Sequence, residues 1–304
     1  MKNIKINDIE ASKATPMVAQ YLSIKKNHLD CLLFFRMGDF YELFFEDAIE
    51  AAKILEITLT KRGTYNGEGI PMCGVPAHSS DLYLSKLIKH GVKVAICEQS
   101  KISLKKDLPK NQNLMKREVV RIITPGTLTE DNILEPKNYN FLLSVIYYSN
   151  FIGLSWIDIS TGDFYSKRVK KKQIVSEIEK INPNEIIFKF KSNEEDELII
   201  DIEDYNYSKV AEQISEIDCF RRIIDALNLS DSKKLEAFHK EEIEAAGYLL
   251  DYIFRTQKGK LPNIRFLVSK NTIDEMVIDY STFKNLEILA SNSNFKGGSL
   301  LSVI

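Results

Sequence analysis

Residues 31–45 read Cys-Leu-Leu-Phe-Phe-Arg-Met-Gly-Asp-Phe-Tyr-Glu-Leu-Phe-Phe, with an apolar arm on each side of Gly38 and Asp39. A Gly-Asp pair between two apolar runs is typical of a two-residue β-hairpin turn, because glycine readily adopts the positive φ that such a turn needs. The sequence therefore predicts a hairpin whose arms are Leu32–Met37 and Phe40–Phe45.

The second arm carries an unusual pair of side chains. Because side chains alternate across a strand, Phe40 and Glu42 lie on one face of it, and Tyr41 and Leu43 lie on the other. A buried face rarely contains Glu, and a solvated face rarely contains Phe. The pair beside the turn is therefore a candidate binding feature.

The hexapeptide Met37–Glu42 resembles the mismatch-recognition hairpin of the MutS family of bacterial DNA mismatch repair proteins, and Phe40-x-Glu42 matches the Phe-x-Glu motif of that family. Three other stretches resemble the same family, in the same order and at nearly its spacing: Thr58–Gly63, Ile70–His78 and Val94–Gln99. One hexapeptide would be a weak match, whereas four in order make the resemblance specific.

Composition sets broad limits on the class of protein. The chain has 304 residues, of which 44% are hydrophobic and 28% charged, and a formal net charge of −2. These values are typical of a folded chain of roughly two domains. No apolar run approaches the ~18 residues of a membrane span, and the 4 cysteines form no Cys-x-x-Cys pair. We expect a reduced cytoplasmic protein, associated with the nucleoid, in which any DNA binding depends on local basic patches.

Pattern and resemblance together predict a mixed α/β architecture. The expected domains are a mixed α/β mismatch-recognition domain over residues 1–117, a connector domain with a ribonuclease-H-like fold over 118–265, and the beginning of a helical core domain over 266–304. The chain stops within the stretch that resembles the core domain, so we expect a truncated protein or a fragment.

The connector prediction also has support from the residues themselves. Three strand-like runs at 141–148, 151–159 and 163–169 are joined by short turns, which favour antiparallel neighbours. A helical segment from Lys170 and a further strand at Ile186–Phe188 follow. This β-β-β-α-β order is the one in which a ribonuclease-H-like fold begins.

Two polar stretches in the first half are predicted to be irregular. The segment from Lys101 to Arg117 is basic and has the composition of a linker, with a phosphate-contacting arm as the alternative. The glycines between Gly63 and Gly69 predict a loop.

Phe40 is the principal candidate for function. Minor-groove binders insert an apolar side chain between base steps, and the insertion costs less where a mismatch has already weakened the stacking. The residues alone leave open that Phe40 belongs to the core with its aromatic neighbours. The resemblance implies that Phe40 is the inserted side chain, placed beside a mispaired or unpaired base.

The other candidate site residues surround Phe40. A neutral Glu42 carboxyl can donate a hydrogen bond to a base, and nearby phosphates favour that form, although a solvated carboxylate is the alternative. Lys61 and Arg62 are candidate phosphate contacts, or else a solvated pair. Met37 and Asp39 flank Phe40 and could line the groove, unless Asp39 only serves the turn.

Two other classes of function stay open. Asp158 lies near the position of the first metal-binding Asp in a nuclease of ribonuclease-H-like fold, so a two-metal nuclease is one alternative. A module that only binds protein partners is the other. The four histidines have no metal-ligand spacing, and we assign the chain no metal site and no catalytic residue.

The resemblance also implies partners and cofactors. No Gly-x4-Gly-Lys-Ser/Thr motif occurs, so we expect these residues to form no enzyme and to need no cofactor. In the family, ATP and magnesium belong to a C-terminal domain, and full-length members act as homodimers. The expected partners are double-stranded DNA with mismatches or small insertion/deletion loops and, through the connector domain, a MutL-like protein. No membrane partner is expected.

Overall fold

The computed structural model describes residues 14–99, 115–129, 139–148, 150–189, 207–209, 214–230, 232–271, 282 and 285–287. The chain divides into two compact units, and each contains one six-stranded mixed sheet. The mixed α/β class predicted from the sequence is confirmed.

The first unit is a mixed sheet with helices on both faces. Its elements in chain order are α1 (Pro16–Lys25), β1 (Leu32–Met37), β2 (Phe40–Phe44), α2 (Phe45–Leu55), β3 (Thr60–Tyr65), β4 (Glu68–Pro76), α3 (Ser80–Lys89), β5 (Val94–Gln99) and β6 (Arg117–Ile123). The strand order is β3-β4-β2-β1-β5-β6, and β1 runs parallel to β5 while the other neighbours are antiparallel. The predicted hairpin is confirmed as β1 and β2, except that Phe45 begins α2 instead of ending the second arm.

Both faces of β1 and β2 are covered over most of their length. On one face, Tyr41 and Leu43 pack with residues of α2 and α3. On the other face, Phe35 and Phe44 pack with Tyr21 of α1. Burial on both faces explains why the two arms are almost continuously apolar rather than alternating.

A buried ion pair connects α1 and α2 to the root of the hairpin. Lys25 Nζ lies 2.8 Å from Asp47 Oδ1, and both side chains are buried. Asp47 Oδ2 accepts hydrogen bonds from the Tyr21 hydroxyl at 2.9 Å and from the backbone N–H of Leu33 at 3.0 Å. Because each charge has close partners, this network holds the start of β1 in a defined place.

The segment predicted as a loop between Gly63 and Gly69 is instead part of a second hairpin. Asn66 and Gly67 have φ values of 50° and 80°, the positive pair that a tight hairpin turn requires. Tyr65 pairs with Glu68 across that turn. The loop prediction was wrong because an Asn-Gly turn signal lay within the glycine-rich stretch.

The strand Arg117–Ile123 belongs to the first sheet, where it pairs with β5. The predicted boundary between residues 117 and 118 therefore falls at the start of a strand of the first unit. The three domain ranges given above stay predictions.

The second unit contains the predicted β-β-β-α-β order. Its elements are β7 (Phe141–Tyr147), β8 (Phe151–Asp158), β9 (Phe164–Lys170), α4 (Ile174–Ile181), β10 (Glu185–Lys189), β11 (Tyr207–Lys209), α5 (Glu216–Leu227), α6 (Lys240–Thr256) as far as Leu250, and β12 (Leu267–Ser269). The strand order is β11-β10-β7-β8-β9-β12, in which β7, β8 and β9 are antiparallel neighbours and β10 lies parallel to β7. The order of elements predicted for the connector domain is thus confirmed.

A buried carboxylate joins strands of this second sheet to α6. Glu242 accepts hydrogen bonds from the hydroxyls of Ser166 and Ser269, from the side-chain amide of Asn271 and from the backbone N–H of His239. These donors satisfy both carboxylate oxygens, so the charge is compatible with full burial.

Several predictions fall on residues outside the described ranges. They concern most of the basic stretch from Lys101 and most of the stretch that resembles the core domain. Within the described ranges, no helix combines the length and the apolar character that crossing a bilayer requires.

Candidate nucleic-acid interface

Three features hold the hairpin turn between β1 and β2. Gly38 has a φ of +63°, as the turn prediction required. Arg36 Nε donates a hydrogen bond to the Gly38 carbonyl at 2.6 Å, and the Ala77 N–H donates to the Asp39 carbonyl at 2.8 Å. The turn therefore presents Phe40 from a fixed backbone.

Phe40 differs from the other aromatic residues of the hairpin. The residue is 48% exposed, although it lies in register opposite Met37 in β1 and Pro76 in β4. The aromatic residues nearby are all buried, namely Phe34, Phe35, Tyr41, Phe44 and Phe45. The ring of Phe40 is thus available at the surface, which the core alternative did not expect.

Glu42 lies on the same face of β2 as Phe40, one strand repeat further from the turn. The residue is only 8% exposed. Its Oε1 atom accepts a hydrogen bond from Arg62 Nη1, whereas its buried Oε2 atom has no hydrogen-bond partner among the described residues. Burial raises the pKa of Glu42 above its usual value, and the nearby Arg62 and Arg117 guanidinium groups only partly oppose this.

Gly74 lies beside Glu42 on the neighbouring strand and places no side chain against it. The two residues are cross-strand partners between β2 and β4. A Cβ atom on Gly74 would lie 3.7 Å from Glu42 Cγ, so a larger side chain there would extend beside the carboxylate. Gly74 lies within the Ile70–His78 stretch and was not predicted to be part of the site.

Lys61 and Arg62 are both exposed, and both lie near the start of β3. Arg62 forms the ion pair with Glu42, so these two predicted site residues are brought together. Lys61 instead pairs with Pro71, and its aliphatic stem passes close to Gly69. The two cations therefore lie at one sheet edge but make different contacts.

Met37 and Asp39 flank Phe40, as the sequence indicated. Asp39 is exposed in the turn. Met37 is partly buried against the α1 side of the sheet, and its sulfur lies 3.3 Å from Arg117 Nη2. The prediction that these residues line a groove stays a prediction.

Arg117 is a residue that the sequence reasoning assigned wrongly, to a linker or a phosphate-contacting arm. Its side chain is buried, and its guanidinium donates to the Arg36 carbonyl at 2.8 Å and to Gln20 Oε1 at 3.0 Å. Its Cζ atom lies 4.8 Å from the centre of the Phe35 ring. Arg117 therefore stabilises the end of β1 through a buried hydrogen bond. It is buried because it belongs to β6, which pairs with β5 in the sheet.

The described residues offer no obvious place for a metal. No group of three or more His, Cys, Asp or Glu side chains converges within the described part of the chain. Asp158, the candidate for nuclease chemistry, lies at the end of β8 and is 2% exposed.

Comparison with known proteins agrees with the order of the two units. Residues 15–132 match the family described as MutS domain I, and residues 140–265 match the one described as MutS domain II. The chain is 41% identical over 295 residues to the DNA mismatch repair protein MutS of Wolbachia pipientis wMel, covering 96% of this chain and 35% of that protein. It is 40% identical over 296 residues to the proteins of the same name from Ruegeria pomeroyi and Ehrlichia chaffeensis, covering 95% and 96% of this chain and 33% and 36% of theirs.

The chain therefore spans about a third of the length of these curated relatives. Within that length it carries domain I followed by domain II, in agreement with the two sheets described above. The matches over both units establish that this chain belongs to the MutS family.

Proposed function

We propose that this chain recognises mispaired or unpaired bases in double-stranded DNA, as part of DNA mismatch repair. The observation that carries the proposal is the exposed Phe40 ring, held on a rigid turn beside Glu42, a buried residue whose pKa is raised. The names of the relatives, each a DNA mismatch repair protein, support the same function.

In this proposal Phe40 enters the duplex from the minor groove beside the defective base pair. Unstacking a base step costs a few kcal/mol in a regular duplex. The cost is lower at a mismatch or an unpaired base, because the stacking there is already weakened. The ring selects for weak stacking and deformability rather than for a base sequence. A rigid turn favours this role because little conformational entropy is lost when the ring is inserted.

Glu42 then contacts the displaced base. Its pKa is raised by burial, and DNA phosphates would raise it further, so the carboxyl gains a proton and can donate a hydrogen bond to a ring nitrogen. The Oε2 atom lacks a partner in the described part of the chain but is buried, so the carboxyl group turns to bring this atom to the base.

Lys61 and Arg62 contact the phosphate backbone and set the position of the hairpin without reading sequence. Both side chains are exposed at the edge of the first sheet, which suits that role. Met37 and Asp39, on either side of the turn, line the groove next to the inserted ring. The overall charge of −2 makes such local cations necessary for binding a polyanion.

The test is a competition titration at fixed, stated salt. A labelled duplex with a G·T mismatch or a single-base insertion is bound by the 304-residue chain and displaced with unlabelled homoduplex. We expect the wild-type chain to prefer the defective duplex and Phe40→Ala to lose that preference. Equal affinity of the wild-type chain for both duplexes would refute the proposal.

The partners expected from the family are a further part of the proposal. We infer that the second unit, which matches MutS domain II, binds a MutL-like protein, and that the longer protein works as a nucleoid-associated homodimer that binds ATP and magnesium elsewhere. ATP hydrolysis is not among the functions proposed for these residues, because the matches are to domains I and II. Pull-down of a MutL-like protein by residues 140–265 against residues 15–132 tests the assignment to the second unit.

The nuclease alternative gains no support from the described residues, since Asp158 is buried. Adding magnesium and measuring phosphodiester cleavage, with Asp158→Asn as control, tests it directly.

A further inference from the structure

We infer that Arg62 is a releasable partner of Glu42, which holds the carboxylate ionised in the free protein and gives it up when a DNA phosphate binds the guanidinium. This inference rests on the proposed function and assigns a regulatory role within the same site. It makes Arg62 the residue that couples a sequence-independent backbone contact to the base contact of Glu42.

The geometry of the ion pair is asymmetric. The Arg62 side chain is 45% exposed, whereas the Glu42 side chain is only 11% exposed. A phosphate can therefore reach the guanidinium without first reaching the carboxylate. Guanidinium groups bind phosphate oxygens in the same bidentate manner as carboxylates, so a backbone phosphate is a competent rival for Arg62.

Two cations among the described residues act on Glu42, and only one of them is positioned to leave. Arg62, on β3, contacts the Oε1 atom directly. Arg117, on β6, acts from a distance, and its guanidinium is already engaged by the Arg36 carbonyl, Gln20 and Met37. Loss of Arg62 thus removes the one cation in contact with the carboxylate.

Two opposing effects decide whether Glu42 is protonated. Burial favours the neutral acid, and the two guanidinium groups favour the carboxylate. When a phosphate draws Arg62 away, the arginine keeps its proton, and Glu42 takes one proton from solvent. The carboxylate that would repel the phosphates becomes an O–H donor next to the inserted ring.

The ion pair also increases the preference for a defective duplex over a regular one. Every encounter with DNA must break the ion pair and protonate Glu42, and the cost is the same for all duplexes. Only a duplex in which the displaced base accepts the new O–H recovers that cost. The ion pair therefore acts against binding to regular duplex.

The first arm of the test uses the free chain without DNA. The Glu42 carboxyl carbon is followed by NMR as the pH is raised in glutamate-labelled protein, with Glu42→Gln to identify its signal. We expect Arg62→Gln to raise the titration midpoint of Glu42 and Lys61→Gln to leave it nearly unchanged. Lys61→Gln is the matched control because it removes the adjacent cation on the same strand, which is not among the groups that shift the Glu42 pKa. A Glu42 midpoint that moves no further in Arg62→Gln than in Lys61→Gln overturns the inference.

The second arm adds DNA to wild-type chain and to Arg62→Gln. Homoduplex at low salt should raise the Glu42 midpoint of the wild-type chain, and Arg62→Gln should bind any duplex more weakly with a salt slope smaller by about one. The variant should also keep its ratio of mismatch to homoduplex affinity up to a higher pH than the wild-type chain. If that ratio falls at the same pH in both proteins, the inference is wrong and the proposed function stands. If the wild-type chain shows no mismatch preference at any pH, the proposed function fails, and the carboxyl titration alone decides whether Arg62 holds Glu42 ionised.

Discussion

Phe40 and Phe44 lie on the same face of one strand, yet Phe40 is 48% exposed and Phe44 is 1% exposed. Phe44 lies in the core beneath α1 and contacts Tyr21. Phe40 lies four residues earlier, next to the turn. One residue type thus serves as core at one end of the strand and as a surface ring at the other.

That contrast gives the first prediction. Phe40→Ala should abolish mismatch preference while changing the free energy of unfolding by less than about 0.5 kcal/mol, since it removes an exposed side chain. Phe44→Ala should instead lower stability by about 3–5 kcal/mol, because it empties a packed core. Urea denaturation and duplex competition measure the two effects, and a large stability loss in Phe40→Ala would contradict the assignment.

Substitution of Glu42 separates the donor role from simple removal of charge. Glu42→Gln keeps a hydrogen-bond donor, so it should retain mismatch preference and bind homoduplex more tightly, because a carboxylate no longer faces the phosphates. Glu42→Ala should bind homoduplex at least as well but lose much of the preference. Competition titrations of the three proteins at one salt concentration give the comparison. Equal preference in all three would exclude a donor role for Glu42.

The raised pKa of Glu42 also makes a prediction about stability. A carboxyl whose pKa is higher in the folded than in the unfolded chain binds its proton more tightly when folded, so its contribution is favourable at low pH and is lost as the pH rises through both pKa values. Glu42→Gln removes this loss. Its melting temperature relative to wild type should therefore increase from about pH 4 towards neutral pH, with the change starting near the ordinary carboxyl pKa. A relative melting temperature that decreases over this range would indicate that the ion pair with Arg62 outweighs burial.

Asp47 is predicted to be essential for the stability of the hairpin root. Asp47→Ala leaves the buried Lys25 ammonium without its counter-ion and deprives Tyr21 and the Leu33 N–H of their acceptor. Removing one partner of such a buried pair costs about 3–5 kcal/mol. Glu46→Ala is the matched control, since its side chain is exposed in the same turn of α2 and should change stability by less than about 0.5 kcal/mol. Similar denaturation midpoints for the two variants would contradict the assignment.

Arg117 is predicted to position the hairpin rather than to contact phosphate. Arg117→Met keeps the apolar stem but removes the donors to the Arg36 carbonyl and Gln20, which should cost about 1–3 kcal/mol of stability. The salt slope of DNA binding should be unchanged. Lys116→Met, at the exposed neighbour, should leave stability unchanged within about 0.5 kcal/mol. A decrease in salt slope by about one in Arg117→Met would instead indicate a phosphate contact.

Local signals in the sequence were sufficient for the elements that depend on neighbouring residues. The Gly38-Asp39 pair defined the β1–β2 turn, and short turns between three apolar runs gave the antiparallel strands of the second sheet. The Asn66-Gly67 pair is an equally clear turn signal, but the stretch around it was interpreted as a glycine-rich loop. The motif Phe40-x-Glu42 and the three other stretches, taken in order, indicated the family, which the matches to domains I and II then established.

What the sequence by itself determined is therefore the order of elements and the identity of the residues on each strand face. Only the tertiary structure decided that Phe40 lies beyond the cover of α1, that Glu42 is paired with Arg62, and that Arg117 is buried behind the hairpin. Those facts depend on which strands become neighbours in the sheet, and residues 20 or more positions apart meet only through that pairing. Strand periodicity fixes the direction of a side chain, but burial and charge pairing arise from what other segments bring against it.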